Sequence, residues 1–182
     1  MAVEIVYETH STTTDNEAGI ATGWLPGTLS GLGRRQAAEL GERRRGGGFA
    51  AVLTSDLQRA VETAAIAFPD LLPTRDARLR ECDYGALNGT PMAGIAARRL
   101  RHLDEPFPGG GQSYRQVTLA TAELLAELAV RHDGRRVLLI AHHANRVALD
   151  HLLTGAPLAE LLTAERTWQP GWHYTLPTNW RP

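Results

Sequence analysis

Short aliphatic runs alternate with helix-like stretches from one end of this chain to the other, and that alternation restricts its fold more than any other feature. Val3 to Tyr7 reads as a buried strand, Phe49 to Leu53 as a second, and Leu71 to Thr74 as a short third. Val137 to Ala141 is the most convincing buried strand of all. Ser30 caps an expected helix reaching to about Arg45, and Ser55 or Asp56 caps another from Leu57 to about Ala67. A weaker helix is expected around Met92 to His102. A long one runs from about Ser113 to Arg131, with Leu119, Leu124, Leu125 and Leu128 toward the core. The helix after His142 carries Val147, Leu149, Leu152 and Leu153, and Trp168 to Trp180 reads as a final strand plus coil. Gly46-Gly47-Gly48 and the Pro106 to Gly111 stretch are punctuation, and no linker or repeat interrupts the order. The expectation is a single domain over residues 1–182, an α/β fold in which helices cover both faces of a largely parallel central sheet as a three-layer α/β/α sandwich.

Ligands of such sheets sit beyond the carboxyl ends of the strands. Three chemistry-bearing segments begin there: His10, Ser55-Asp56, and His142. His10 and His142 should share one sheet edge and face each other across a pocket. A neutral imidazole can attack a phosphoryl group and carry it, while a second histidine holds the phosphoryl oxygens. The transfer also needs cations around those oxygens and an acid for the departing alkoxide. Arg59, one turn into the second helix, is placed to reach the edge; Glu81 is the first candidate acid and Asp83 the second.

Composition narrows the chemistry further. All 19 basic residues are arginine, so lysine Schiff bases and the usual P-loop are excluded. The lone Cys82 excludes a disulfide framework, a CxxC pair and a cysteine-rich zinc site. Adjacent strand residues point to opposite faces, which argues against His142-His143 as a zinc pair. A formal net charge of −1 gives no reason to expect nucleic-acid or membrane partners. The triplet Arg43-Arg44-Arg45 reads as a solvated helix end. Arg98, Arg99, Arg101 and His102 read the same way, with recognition of a further anionic group as the alternative. The N-terminus starts directly in a strand and shows no signal peptide, so a cytoplasmic location is expected.

Six segments, in order, carry a family resemblance. They are Val6-Tyr7-Glu8-Thr9-His10-Ser11-Thr12-Thr13 with Asn16 in register, and Leu29-Ser30-Gly31-Leu32-Gly33-Arg34-Arg35-Gln36-Ala37. Then come Thr54-Ser55-Asp56-Leu57-Gln58-Arg59-Ala60-Val61-Glu62-Thr63-Ala64 and Leu79-Arg80-Glu81 with Gly85 and Gly89. The last two are Pro108-Gly109-Gly110-Gly111-Gln112-Ser113 and Val137-Leu138-Leu139-Ile140-Ala141-His142. Along nearly its full length the chain resembles the histidine phosphatase superfamily, the phosphoglycerate-mutase-like proteins. The resemblance implies that His10 is the phosphorylated nucleophile, Glu81 the proton donor, and Arg59 with His142 the phosphate clamp. Asn16 would add a neutral hydrogen bond, and Thr9, Ser11 and His143 complete the candidate phosphate-binding set. A small phosphorylated metabolite is the implied substrate, and no metal or organic cofactor is implied.

The sequence departs from the family pattern at defined places. Thr9 stands where arginine is usual, Ser11 and His143 replace glycines, and Asn88 and Gln112 stand where glutamates are common. Arginine forks make charge-assisted bonds roughly twice the strength of neutral ones. Losing one in the transition state costs on the order of 3 kcal/mol, or about a hundredfold in rate. Arg146, four residues after His142, can compensate if it points inward; a surface arginine is the alternative. Ser11 either donates to phosphate or fills space beside Thr9.

The leading expectation is a phosphomonoester hydrolase working through phospho-His10. A phosphoglycerate-mutase-type phosphotransferase is the alternative within the enzymes, although family mutases carry larger insertions before the second histidine. Thr9 also permits a catalytically weakened phosphate-binding or interaction module, or a non-phosphate reaction with His10 as base.

Overall fold

A computed structural model describes residues 1–165 and 167–181. Its centre is a five-stranded sheet built from β1 (Ala2–Thr9), β3 (Phe49–Thr54), β4 (Thr74–Arg75), β6 (Arg136–Ala141) and β7 (Trp172–Pro177), in the order β4-β3-β6-β1-β7. The first four run parallel, and β7 lies antiparallel against β1 along the edge. Val137, Leu138, Leu139, Ile140 and Ala141 of β6 are all inaccessible. A central parallel strand buried on both faces needs such a continuous apolar run.

Side-chain alternation sorts the core into two layers. Ile5, Tyr7, Val137 and Leu139 meet Leu124, Leu125, Leu128 and Leu149 of α5 (Tyr114–Arg131) and α6 (His143–Thr154). Val6, Leu138 and Ile140 meet Leu40, Ala64 and Ala67 of α2 (Gly31–Arg44) and α3 (Gln58–Ala67) on the opposite face. The expected three-layer sandwich with a largely parallel sheet is the observed architecture. The remaining elements are α1 (Thr14–Glu17), the small β2 (Ile20–Ala21) and β5 (Thr90–Pro91) pair, α4 (Met92–Ala96) and α7 (Leu158–Thr163). Among the described residues no helix is long and apolar enough to cross a membrane.

Local signals set the helix starts near the strand ends. Ser30 accepts the Gly33 amide as N-cap of α2, and Ser113 forms a reciprocal capping box with Gln116 at the start of α5. Several expectations need correction. The third strand shrinks to Thr74–Arg75 because Pro73 interrupts the ladder, leaving Leu71 and Leu72 exposed. Leu119 lies on the outer face of α5, not in the core. The Met92 to His102 helix ends at Ala96, where the chain turns inward. That turn buries Arg99, which donates to the Leu162 carbonyl at 3.3 Å, and His102, which stacks on Phe107 at 3.9 Å between centroids. Two members of the supposedly solvated basic cluster are therefore interior.

The Arg43-Arg44-Arg45 reading also changes. Glu8 is buried on the α2 face of β1, and Arg43 and Arg44 both donate to its carboxylate. Arg44 also reaches the Pro170 carbonyl at 2.9 Å, tying the approach to β7 onto α2. A buried carboxylate draws in the cations that a helix end offers. Arg45 remains at the surface with Glu42.

Candidate active site

The ends of three adjacent parallel strands assemble the site. β1 delivers His10 directly after Thr9, β6 delivers His142 after Ala141, and β3 delivers Ser55 after Thr54. Register sets their spacing: Thr9 pairs with Ala141, and Thr54 with Ile140. The His10 amide donates to the Ala141 carbonyl at 2.8 Å, extending the ladder one residue into the site. As a result the two imidazoles lie 5.0 Å apart between centroids, tilted by 52°.

Each ring is held from one side. His10 Nδ1 lies 2.8 Å from the Ser11 carbonyl oxygen. A carbonyl only accepts, so the ring proton resides on Nδ1 and the Nε2 lone pair is free. The Ser11 amide in turn donates to Thr63 Oγ1 at 3.0 Å. His142 is fully buried; its Nε2 lies 2.6 Å from Ser55 Oγ, and Tyr7 donates to its backbone carbonyl at 2.5 Å.

Arg59 and Glu81 complete the cluster, both largely withdrawn from solvent. Arg59 donates Nη2 to the Gly23 carbonyl at 2.8 Å and Nη1 to that of Leu25 at 3.1 Å, which fixes the 23–25 loop over the site. The Cys82 amide donates to Glu81 Oε1 at 2.8 Å, and Trp24 Nε1 donates to the Glu81 backbone carbonyl at 2.7 Å. Asp83, the second acid candidate, is taken up by loop bonds: its carboxylate accepts the Gly85 amide at 2.9 Å and the Asn88 side-chain amide at 2.7 Å. Gln112 accepts the Asp83 amide at 3.2 Å, so Asn88 and Gln112 both brace this loop.

Charge follows burial. Desolvation and the nearby Arg59 pull His10 down to about 3. The same two causes, in that order, with His10 third, hold His142 well below the ordinary imidazole value. Both rings are neutral near pH 7. Burial raises the Glu81 carboxyl, against the opposing pulls of the Cys82 amide and Arg59. The cluster thus sets two neutral imidazoles beside a buried cation and a carboxyl biased toward its protonated form.

Other candidates fall at different distances from this centre. Asn16 lines the cavity beside His10, but its Oδ1 accepts the Thr13 amide at 3.0 Å as half of the α1 capping box. Thr9, Ser11 and Thr12 line the same cavity of about 580 Å3, together with Gln36, Arg43 and Trp168. His143 begins α6 and is brought down to about 3 by burial and by Arg99 and Arg146, a different electrostatic setting from that of His10. Arg146 pairs with Asp150 and stacks over Trp172 at 5.4 Å, so it does not replace the arginine absent at position 9. Sequence reasoning missed the Ser55 to His142 bond. Chain order places Ser55 in a strand-end site segment and offers it, or Asp56, as a helix cap, but neither reading identifies its histidine partner. The N-cap position is Leu57, without a side-chain bond, and Asp56 pairs with Arg80 at 2.5 Å.

Fold and site together define a doubly covered, mostly parallel α/β protein whose strand ends present paired neutral histidines, with an arginine from α3 and a raised carboxyl from the loop at Glu81 beside them. Residues 9–167 match the sequence model of the histidine phosphatase superfamily, branch 1, and the chain belongs to that superfamily. It is 32% identical to the metal-independent phosphoserine phosphatase of Arabidopsis thaliana, over 76% of this chain and 63% of that enzyme, so it spans less than two thirds of that relative. It is 31% identical to the 2,3-bisphosphoglycerate-dependent phosphoglycerate mutase of Methylobacterium sp. (strain 4-46), over 90% of this chain and 93% of the mutase. Among solved structures, a mycobacterial glucosyl-3-phosphoglycerate phosphatase complexed with VO3 superposes with a TM-score of 0.77 at 30% identity, covering 89% of this chain and 87% of that one. Bacillus stearothermophilus YhfR gives 0.80 at 27% identity, covering 93% and 88%.

Proposed function

We propose that this protein is a phosphomonoester hydrolase that works through a phosphohistidine on His10, with a small phosphorylated metabolite as substrate. The observation that carries the reading is the His10 tautomer. Its Nδ1 proton is committed to the Ser11 carbonyl, so the Nε2 lone pair is free beside His142. In the first step Nε2 attacks phosphorus, the N–P bond forms, and the ester P–O bond breaks. Glu81 gives its proton to the departing alkoxide. In the second step water attacks phosphorus, the Glu81 carboxylate accepts a proton, and the N–P bond breaks to release phosphate. Arg59 and His142 stabilise charge on the phosphoryl oxygens throughout.

The phosphatase relatives support hydrolysis. The mutase relative supports a second reading, a phosphotransferase. Its alignment runs over 193 positions, more than the 182 residues of this chain, so the mutase carries inserted residues that this chain does without. Compactness favours the hydrolase. Incubation with an aryl phosphate, alongside the His10→Ala variant, tests the mechanism. Turnover and a trapped phosphohistidine should both vanish with the imidazole; turnover indifferent to the change rejects it. Tight phosphate binding with neither turnover nor phosphohistidine in the unaltered protein would instead support a phosphate-binding module.

A further inference from the structure

We infer that Ser55 is a positioning residue that fixes His142 in its Nδ1–H tautomer, so that this ring offers a hydrogen-bond donor to a phosphoryl oxygen. Proton accounting at one hydroxyl leads there. Ser55 Oγ has one hydrogen to give and two lone pairs. It accepts the Leu57 amide at 3.3 Å and lies 2.6 Å from His142 Nε2. Ser55 is fully buried, and among the described residues Nε2 is the acceptor within reach of its hydroxyl proton. If Nε2 itself carried hydrogen, the Ser55 oxygen would accept twice and its own proton would be stranded in the interior. A stranded buried donor is costly. The hydroxyl therefore donates to Nε2, and the proton of the neutral ring sits on Nδ1.

The other ring atom shows the consequence. His142 Nδ1 is buried and has no hydrogen-bond partner among the described residues. An unfilled donor in a fully buried ring, 5.0 Å from the His10 ring, calls for an acceptor from a ligand. A phosphoryl oxygen only accepts, so the Nδ1–H tautomer matches it and the opposite tautomer presents lone pair to lone pair. Thr9 sharpens the requirement, since the donor that arginine usually supplies is missing. The register already described makes the contact possible. β3 and β6 are adjacent and parallel, so the residues that follow Thr54 and Ile140 emerge side by side. The Ser55 amide binds the Ile140 carbonyl at 3.4 Å, holding the hydroxyl against the ring.

The functional consequence rests on the phosphatase reading; the tautomer does not, so the experiment separates them. Long-range 1H–15N correlation spectra of the unaltered protein near pH 7 should show His142 protonated at Nδ1 and bare at Nε2, with resonances assigned by their loss in His142→Asn. Ser55→Ala should shift the ring toward the Nε2–H form, while Ser55→Thr, which keeps a hydroxyl, should retain the original pattern. Aryl phosphate turnover should fall on the order of 10–100-fold in Ser55→Ala and recover in Ser55→Thr. A His142 ring protonated at Nε2 in the unaltered protein overturns the inference, and so does a Ser55→Ala spectrum unchanged from it. If Ser55→Ala fails to fold, the spectrum of the unaltered protein decides alone. Absence of phosphohistidine with the expected tautomer would reject the phosphatase reading and leave the Ser55 assignment standing.

Discussion

The rings of His10 and His142 lie 5.0 Å apart at the ends of neighbouring parallel strands, and burial keeps both neutral. Their folded-state pKa values lie below the ordinary 6.5, as does that of His143 at about 3. Between those limits the unfolded chain binds more protons than the folded one. Stability from these rings is present in full above 6.5 and is lost as pH falls toward about 3. Urea midpoints should drop between pH 7 and pH 5, and His143→Gln should flatten the drop.

Glu81 acts in the opposite sense. Burial raises its pKa above the ordinary 4.5, so its protonated form persists to higher pH. Initial rates on an aryl phosphate should show an alkaline limb as Glu81 loses its proton, and an acid limb as His10 gains one near about 3. Glu81→Gln should lower turnover on a poor leaving group about 100-fold or more and remove the alkaline limb. An activated leaving group, which needs little protonation, should suffer less.

Thr9→Arg should strengthen phosphate handling. The cavity of about 580 Å3 that Thr9 borders leaves room for a longer side chain. A guanidinium there would add a permanent cation next to His10, in a cavity that Arg43 also borders. Recovering one charge-assisted contact is worth on the order of 3 kcal/mol, so kcat/KM for an aryl phosphate should rise up to about a hundredfold. An unchanged value would show that the native pocket loses nothing through threonine.

Glu8→Gln should destabilise the fold by about 3 kcal/mol, measured by urea unfolding, because removing one partner strands the other charges. The Glu8 side chain is only 3% exposed, and Arg43 and Arg44 converge on it. Arg45→Gln, at the solvated end of the same triplet, should change stability by less than about 0.5 kcal/mol.

Gly33→Ala should destabilise although it lies within a helix. A Cβ there would come 1.8 Å from the Thr12 carbonyl oxygen, which accepts the Ser30 amide. The gain in helix propensity, about 1 kcal/mol, is outweighed by displacing the segment that follows His10. A net loss of about 1–3 kcal/mol and reduced turnover are expected, read by unfolding and by the aryl phosphate assay.

Much of the architecture was legible because burial imprints periodicity within one element. Val137 to Ala141 had to be a central strand, and the strand-end positions of His10 and His142 followed from chain order alone. His102 is buried by local contacts, its Nδ1 3.1 Å from the Glu105 carbonyl oxygen and its ring on Phe107, whereas Arg43, Arg44 and Arg99 look solvated in the sequence for a shared reason. A long polar side chain at a helix end looks solvated until a buried acceptor from a distant segment is known. Glu8 lies 35 residues before Arg43, and Leu162 lies 63 residues after Arg99.

The sequence by itself determined the kinds of element, their order, the family they belong to, and the absence of lysine that leaves arginine and histidine to bind anions. Tertiary structure decided which groups meet. Only the pairing of β3 with β6 puts the Ser55 hydroxyl on His142, and burial beside Arg59 lowers the pKa of both imidazoles below the ordinary 6.5. Side-chain identity sets what a group can donate or accept. Strand register and desolvation, which depend on residues far apart in the chain, set which proton it holds.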